Sequence, residues 1–523
     1  MPPLLGTIAR ATIILFLLNF LSKTLGLVRE IVIAQQFGAS AEVDAYLVAF
    51  TLPSVLFALI AGALTTVVIP VYSEYAARDG EAEAWRLFST VGNVLLLLLT
   101  ALMGIGLLLA PWLVKILAPG FTGETERLTV ELTRIMFPLL IFSGLSALFN
   151  GLLNARNIFG VTALNAPLSN LGVIIAVLTT GHLWGVRGMA LGLLIGGMAG
   201  ALVQIPALYK SGFRWRWELN LRHPGLKKIL KLIMPIAVGL SISQTYILVD
   251  RILASGLVEG SIAALNYANR LIQMPLGLFV TAVGTAFFPA FTHRAAEGNW
   301  ESLRDGIRRG LRIVILVCLP AAVGLMLLRE PLIALFFQRG AFDARAVDMT
   351  SIALFFYSLG LVGQAGEFIL VRGFFSLHDT RTPVKLGIIV VLINLAFSLL
   401  LIRPLQHGGL ALANSLAALT SLALLSYYLN KRLPGLWRGG MGKFTLQIIL
   451  ASGVMGIVVY LINQFGTGLI TLTGTLGAAT QVGLAVGAGL GIYLIMLLVL
   501  RLEETQMIWA LARRRRETGS PNR

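Results

Sequence analysis

Long apolar runs separated by short polar connectors extend from one end of the chain to the other. Each run is about 20 residues long or longer, which is the length that a helix needs to cross about 30 Å of hydrocarbon. We count fourteen such runs in the 523 residues. Because the runs are continuously apolar and do not alternate, their backbones must form their own hydrogen bonds as α-helices. The pattern predicts an all-α polytopic membrane protein with fourteen transmembrane helices.

The two halves of the chain repeat each other at an offset of about 220 residues. The matching positions are Arg29 with Arg251, Asp44 with Asn266, Pro53 with Pro275, Pro111 with Pro331, and Gly120 with Gly340. The repeat predicts two pseudo-symmetric lobes of six helices each, with helices 13 and 14 outside the duplication. In membrane proteins built from such repeats, the substrate site usually lies between the repeats near the bilayer midplane.

The duplication and the connectors together predict four regions. They are an N-lobe over residues 1–210, a basic linker over 211–232, a C-lobe over 233–432, and the last two helices with a basic tail over 433–523. Basic residues are concentrated in the linker, in the connector after Pro289 and in the tail run Arg513–Arg516, whereas Gly466 to Gly477 contains none. Cytoplasmic loops carry the excess of Lys and Arg. Both termini are therefore predicted to face the cytoplasm.

Composition supports the membrane assignment and excludes several functions. Hydrophobic residues make up 57% of the chain and charged residues only 12%, too few for the surface of a soluble protein of this size. The net charge of +17 lies mostly in juxtamembrane loops, so it indicates topology rather than a nucleic-acid partner. The single cysteine, Cys318, excludes a disulfide framework within the monomer.

Catalytic motifs are absent from the sequence. It contains no G-x-x-x-x-G-K-[ST] loop, and the five histidines are scattered, mostly in or near connectors, as solvated loop residues would be. A membrane enzyme acting on polyprenyl lipids would need clustered acidic metal ligands or histidines at one membrane face. The sequence therefore predicts a transporter without a bound cofactor, rather than an enzyme or a structural scaffold.

Charged residues inside the predicted spans are the candidates for function. A charge at the bilayer centre costs about 2.5 to 3.5 kcal/mol, so each such residue needs a partner, water or a role. They are Lys23, Arg29, Glu30, Arg134, Asp250, Arg251, Arg270 and Glu367. The cations outnumber the acids in the same layer, and this surplus indicates an anionic substrate. Arginine suits phosphate because its guanidinium donates two parallel hydrogen bonds.

Two other interpretations of these charges remain open. Arg29 with Glu30 or Asp44, and Asp250 with Arg251, can be ion pairs that only hold the lobes together. Lys23 can extend its ammonium group to the cytoplasmic surface instead of contacting substrate. The face of helix 1 that carries Lys23, Arg29 and Glu30 is expected to line an interior cavity in either case.

Several motifs resemble those of the MviN/MurJ family of lipid II flippases. In the first half these are SKTLGLVRE from Ser22 to Glu30, FGA from Phe37 and DAY from Asp44. In the second half they are YANRL from Tyr267, PLG from Pro275 and DTRTPVK from Asp379. The resemblance covers nearly the whole chain, including the arrangement of six, six and two helices. It implies a multidrug/oligosaccharidyl-lipid/polysaccharide (MOP) exporter fold in the bacterial cytoplasmic membrane.

The resemblance implies an activity and assigns residues to it. Two lobes would alternate between inward- and outward-open states to carry lipid II, the lipid-linked peptidoglycan precursor, as a monomer. Arg29 and Arg270 match arginines that face the pyrophosphate, with Lys23 as a further candidate ligand. Asp44 matches an acidic position important for gating, and Glu30 and Arg251 are candidates for gating or ion pairing.

Two positions on helix 2 depart from the family pattern. An arginine and an acidic residue are usual there, but this chain has Phe57 and Gly62. The altered cavity leaves open a flippase for another polyprenyl-diphosphate saccharide, and a cation-coupled drug exporter of the same superfamily is the other alternative.

The energy source also has two candidates. Some family members have a sodium site, and the matching residues here are Asp250, Asn394, Ser398 and Asn414. Hard cations favour several oxygen ligands, and Ser398 stands where an acidic ligand is more usual. The membrane potential acting on an anionic substrate is the alternative to Na⁺ coupling.

Overall fold

The computed structural model describes residues 2–465 and 474–501, which are helical almost throughout. The helices are α1 Pro2–Phe37, α2 Ala41–Arg78, α3 Glu81–Leu117, α4 Gly123–Met136, α5 Leu139–Ala155, α6 Asn165–Leu202, α7 Ile205–Lys210, α8 Pro224–Ala254, α9 Ser261–Pro275, α10 Thr281–Ala296, α11 Trp300–Leu327, α12 Arg329–Phe337, α13 Ala344–Leu359, α14 Leu361–Ser376, α15 Arg381–Arg432, α16 Met441–Phe465 and α17 Gly474–Val499. No strand occurs among these residues. The predicted all-α class is confirmed.

Among the described residues, the helices that could cross a membrane are fewer than the fourteen predicted spans. Within the described ranges, nine helical segments are long and apolar enough to cross a membrane, or eleven if each of two bent pairs is one span. The prediction of fourteen is not confirmed. The tail run Arg513–Arg516 and residues 466–473, which served to predict topology, lie outside the described residues.

Local sequence signals explain where several helices begin. The Ser40 hydroxyl accepts a hydrogen bond from the Val43 amide at 3.4 Å, and the Asn299 side chain accepts one from the Ser302 amide at 3.0 Å. Both side chains satisfy amides that have no partner within their own helix. At Pro275, which has no amide hydrogen, α9 gives way to a π-helical turn over Leu276–Val280.

The backbone repeats the duplication that the sequence shows. Residues with positive φ recur in pairs about 220 positions apart. The pairs are Gly38 and Gly260, Gly80 and Gly298, Asn157 and His378, Gly185 and Gln406, and Gly212 and Gly435. Gly185 and Gln406 interrupt α6 and α15 with nearly the same angles, at φ 55°, ψ −139° and φ 49°, ψ −127°. The two halves of the chain therefore share the positions of their helix breaks as well as their anchor residues.

The chain divides into two compact units. The first comprises Met1–Ala263 and Arg339–Asp343, and the second comprises Ala264–Gln338 and Ala344–Arg523. In the first unit, α2 packs against α5, α4 and α8 around an apolar core that includes Phe88, Leu99 and Leu148. In the second unit, α14 packs along α15 and α11 along α16, with Phe374 and Ile448 among the buried side chains. The lobe boundaries at 210 and 233 stay a prediction.

Candidate functional site

Arg29 on α1 is held by one carboxylate and one amide. Its Nη2 bonds the Glu30 carboxylate, and its Nη1 donates to Asn170 Oδ1 of α6 at 3.2 Å. Asn170 in turn donates to the Ser22 carbonyl at 3.2 Å, which fixes its amide. The Glu30 residue is only 4% exposed, so its charge depends on this ion pair.

One donor of Arg29 is not satisfied within this cluster. The Nε atom is buried and has no hydrogen-bond partner among the described residues, although 23% of the side chain is exposed. A buried donor without a partner costs about 1 to 3 kcal/mol. The guanidinium therefore has the capacity to bind one more acceptor, such as a phosphate oxygen.

The other predicted substrate and gating residues are on α1, α8 and α9. Lys23 is exposed on α1, about 1.7 helical turns before Arg29. Arg270 is partly buried near the end of α9 in the second unit, and Arg251 is partly buried on α8 in the first. Their roles as ligands or gating residues stay predictions.

Asp44 binds the beginning of α9 rather than serving only as a charge partner. Its two carboxylate oxygens accept hydrogen bonds from the Gly260 and Ala263 amides, both at 2.7 Å. The residue is 3% exposed, and Arg251 acts on it electrostatically. A carboxylate at a helix N-terminus satisfies otherwise unpaired amides and is stabilised by the helix dipole. No sequence signal predicts this contact, because 216 residues separate Asp44 from Gly260.

Glycines bring the connectors of the two sequence halves into backbone contact within the first unit. A Cβ on Gly340 would lie 2.3 Å from the Gln35 carbonyl oxygen, and one on Gly120 would lie 2.4 Å from the Ser255 carbonyl oxygen. These contacts are equivalent, since Gln35 and Ser255, like Gly120 and Gly340, are about 220 residues apart. The Ala341 amide also donates to the Gln35 carbonyl at 2.9 Å.

Replacing Gly340 by alanine is expected to break its contact with Gln35. The new Cβ would overlap the Gln35 carbonyl oxygen, and the φ of +56° is unfavourable for alanine. We expect the free energy of unfolding to fall by about 2 to 4 kcal/mol, measured as thermal unfolding of the purified chain.

Gly298→Ala is the matched control. Gly298 also has positive φ, at +67°, but a Cβ there meets nothing within 4 Å. This variant should lose only about 1 kcal/mol from backbone strain. Equal losses in the two variants would show that the contact with Gln35 contributes nothing.

Phe57 and Gly62, the two α2 residues that depart from the expected family pattern, lie in apolar surroundings. Phe57 packs against the apolar core that α2, α3 and α8 share, and a Cβ on Gly62 would lie 2.6 Å from Leu240 Cδ1 of α8. A side chain at position 62 would therefore need the Leu240 side chain to shift. In this chain, α2 and α8 pack against each other with apolar residues at these positions.

The predicted sodium ligands show some of the properties that a site requires. Asn394 and Ser398 are fully buried on α15, with Nδ2 and Oγ lacking partners in the described part of the chain. Asp250 Oδ1 is also buried without a partner, whereas Asn414 Oδ1 accepts a hydrogen bond from Gln364 at 3.5 Å. Asp250 belongs to the first compact unit and Asn394, Ser398 and Asn414 to the second, so sodium binding by these four residues stays a prediction. The described residues contain no cluster of three or more His, Cys, Asp or Glu.

The prediction that the histidines are solvated is wrong for two of them. His407 is buried next to the break in α15, and its Nε2 lies 2.9 Å from the Met349 carbonyl. His223 is buried at the start of α8, where Nδ1 accepts a hydrogen bond from the Gly225 amide at 3.0 Å. Each histidine lies in a connector or helix break that packs back onto the protein, so its position in the sequence did not reveal its burial.

Asp379 belongs to the DTRTPVK motif and lies just before α15. It accepts hydrogen bonds from the Thr382 amide at 3.0 Å and the Thr382 hydroxyl at 2.7 Å. Partial burial raises the pKa of Asp379, but the Thr382 hydrogen bonds and Arg432 outweigh this effect and keep the pKa below its usual value. The motif therefore begins with an ionised carboxylate that caps α15.

Comparisons with known proteins agree with this architecture. The curated proteins include lipid II flippase MurJ of Burkholderia cenocepacia, which is 33% identical over 84% of this chain and 86% of that protein. The probable lipid II flippase MurJ of Vibrio cholerae is 31% identical over 93% of this chain and 96% of its own length. The matched region therefore covers most of the length of both relatives.

The comparison with solved structures also finds a lipid II flippase. A lipid II flippase MurJ in an inward closed conformation superposes with a TM-score of 0.80 at 27% identity, covering 93% of this chain and 98% of that one. An inward-facing multidrug transporter of the MATE family and MOP superfamily shares the fold, with a TM-score of 0.67 at 18% identity.

The family comparison covers the two sequence halves together. The family model described as "Lipid II flippase MurJ" matches residues 33–476, which include most of both halves of the duplication. With its long apolar helices, the chain is a multi-pass protein of the bacterial inner membrane. On these matches, the chain belongs to the lipid II flippase MurJ family.

Proposed function

We propose that this chain is a flippase that moves lipid II from the inner to the outer leaflet of the cytoplasmic membrane by alternating access. The observation that carries the proposal is the buried, unsatisfied Nε of Arg29 beside an ion pair. Together with membership of the family, it supports a cationic site for the diphosphate of the substrate. The protein acts as a transporter and not as an enzyme.

Charge neutralisation is the proposed trigger of the transport step. Arg29, Arg270 and, more peripherally, Lys23 bind the diphosphate, and its negative charge offsets the repulsion among them. The state in which the cations approach one another is stabilised only when substrate is present, so occupancy shifts the equilibrium between states. Asp44, Glu30 and Arg251 control this equilibrium through their contacts.

The proposed architecture has fourteen transmembrane helices in two lobes of six, plus two. Two of the apolar segments support the higher count, because Thr162–Lys210 has 49 residues and Arg381–Arg432 has 52. Each is more than twice the roughly 20 residues of one crossing. Each also contains a non-helical residue, Gly185 or Gln406, where the chain can end one crossing and begin the next. Counting α1 and the two bent pairs as single spans then gives fourteen, with both termini cytoplasmic in a working monomer.

Transport has two candidate energy sources in this proposal, a sodium gradient and the membrane potential. A sodium ion would be held by oxygens of Asp250, Asn394, Ser398 and Asn414, of which the unsatisfied Asp250 and Ser398 oxygens fit best. The membrane potential acts on the anionic substrate and needs no such site. Dependence of transport on Na⁺ at a fixed potential distinguishes the two.

A second candidate is a flippase for another polyprenyl-diphosphate saccharide. It is favoured by Phe57 and Gly62, which leave the α2 and α8 interface apolar where charges are usual in the family. A cation-coupled drug exporter is the less favoured alternative, since the MATE transporters share the fold at under 20% identity.

Complementation tests the proposed substrate. We expect the chain to restore viability to bacteria depleted of their own lipid II flippase, and to make lipid II accessible to a cleaving toxin added outside the cells. The control is the same chain carrying Arg29→Ala. Good expression without rescue or cleavage would contradict lipid II as substrate and favour the other saccharide carriers.

A further inference from the structure

A cavity of about 380 Å³ in the second unit is lined mainly by basic side chains. Four of its charged residues come from α11, one from α16 and one from the turn after α17. They are Arg308, Arg309, Arg312, Lys443, Arg501 and the single carboxylate Asp305. Five cations therefore surround one acid, and this excess of positive charge favours an anionic ligand.

Hydrogen bonds from arginine side chains to backbone carbonyls fix part of the cavity wall. Arg308 donates to the Leu436 carbonyl at 3.1 Å and the Gly435 carbonyl at 3.0 Å, and Arg312 donates to the Gly439 carbonyl at 2.6 Å. These bonds hold the connector before α16 against α11. On the opposite wall, Gln447 of α16 donates to the Leu500 carbonyl at 3.4 Å, which ties α16 to the end of α17.

The remaining cations are available to a ligand. Arg309, Lys443 and Arg501 are exposed, and no side-chain hydrogen bond or ion pair engages them within the described ranges. Asp305 already bonds Arg308 at 2.7 Å, so it does not neutralise them. Within the part of the chain that the structure describes, three cations without an ion-pair partner thus line a cavity whose other arginines are held by backbone carbonyls.

The position of the cavity indicates what the ligand is. It lies where α16 begins and α17 ends, and beside the polar first turns of α11, so it is at the end of three apolar helices. This is the level of lipid headgroups, on the side that the basic connectors predict to be cytoplasmic. Next to it, Leu446, Ile449 and Leu450 of α16 are exposed and form one apolar face along the helix.

We propose that this basic cavity binds the phosphodiester headgroup of an anionic membrane phospholipid, whose acyl chains lie along the exposed face of α16. Arginine supplies paired donors for the phosphate oxygens, and Lys443 and Arg501 add charge. Basic pockets at the cytoplasmic ends of transmembrane helices bind anionic headgroups in this way. The cavity lining includes neither Arg29 nor Arg270, and the proposal does not depend on which substrate the protein transports.

Lipid titration of the purified full-length chain in detergent, followed by native mass spectrometry, tests the proposal. We expect one phosphatidylglycerol to bind more tightly than phosphatidylcholine. Each of Arg309→Ala, Lys443→Ala and Arg501→Ala should weaken phosphatidylglycerol binding about fivefold, as expected for about 1 kcal/mol per basic residue. The side chains are exposed, so the variants should fold normally, and an unchanged thermal unfolding temperature checks this.

The control variant removes three positive charges from a surface outside the cavity. Arg222, Lys227 and Lys231 are exposed around the start of α8 and line no such cavity with the α11 residues. Their triple alanine variant should bind phosphatidylglycerol within twofold of the unaltered chain, whereas the triple variant of the cavity should not. Equal losses in both triple variants would overturn the proposal, because general electrostatic attraction would explain them. Equally tight binding of soluble glycerol phosphate would also overturn it, because the acyl chains would then contribute nothing.

Discussion

Replacing Arg29 by alanine is expected to abolish transport of lipid II while the protein still inserts in the membrane. The substitution removes a guanidinium whose Nε has no partner in the described structure and which the proposed diphosphate would engage. Hydrogen bonds to charged groups contribute about 1.5 to 3 kcal/mol each, so the loss should reach about two orders of magnitude in transport rate. Toxin cleavage of outer-leaflet lipid II in complemented cells measures it.

A second variant separates substrate binding from the ion pair. Arg29→Ala alone leaves the buried Glu30 carboxylate without its cation, which can cost about 3 to 5 kcal/mol of stability. The double variant Arg29→Gln with Glu30→Gln removes both charges and avoids this penalty. If Arg29 binds the diphosphate, the double variant stays inactive although it is stable. Recovery of transport in the double variant would show that Arg29 serves only the ion pair.

Arg127→Ala is the control for general effects of removing an arginine. Arg127 is exposed on α4, and no hydrogen bond or ion pair of its side chain occurs among the described residues. Its loss should change neither expression nor transport. A defect equal to that of Arg29→Ala would show that the assay responds to net charge and not to the site.

Replacing Asp44 by alanine should produce the largest loss of stability. The carboxylate accepts hydrogen bonds from two buried amides, Gly260 and Ala263, at the start of α9. Charge-assisted bonds of this kind contribute about 1.5 to 3 kcal/mol each, so about 3 to 6 kcal/mol should be lost. Thermal unfolding of the purified protein and its accumulation in the membrane report this loss.

Asparagine at position 44 distinguishes capping from charge-dependent gating. Its side-chain oxygen can still accept from one amide, and asparagine caps helices about as well as aspartate. Asp44→Asn should therefore keep most of the stability, and any transport that it loses would measure the need for the negative charge. Glu42→Ala is the control, since Glu42 is an exposed carboxylate in the same first turn of α2. An unchanged unfolding temperature in Asp44→Ala would rule out the capping role.

The helical class and the duplication could be predicted because they depend on patterns within continuous segments. Uninterrupted apolar runs leave the backbone no alternative to helices in lipid, and repeated anchor residues such as Gly120 and Gly340 recur where the chain makes equivalent contacts. The count of fourteen spans stays unconfirmed. Gly185 and Gln406 break α6 and α15 with non-helical backbone angles, so each of these long apolar segments contains two of the runs counted in the sequence.

The candidate site was predictable only in its residue types. Buried charge identified Arg29, because a charge in hydrocarbon needs a compensating group, and the family resemblance identified Asp44. The sequence did not reveal that Asn170 contacts Arg29 or that Asp44 caps α9, since both contacts join segments more than 140 residues apart. The basic cavity was missed for the same reason, because α11, α16 and the end of α17 supply its cations separately. Their charges were interpreted as signals of topology.

Cys318 gives this chain an internal probe of unfolding. It is the only cysteine, it lies inside α11, and it is 0% exposed. A thiol reagent can reach it only when the second unit opens, so its labelling rate follows the population of opened molecules when reclosing is faster than labelling. A cysteine introduced at an exposed position such as Arg127 would, in contrast, react in the folded protein. One chain can thus carry a surface label for spectroscopy and report its own opening, without removal of any native residue to silence the background.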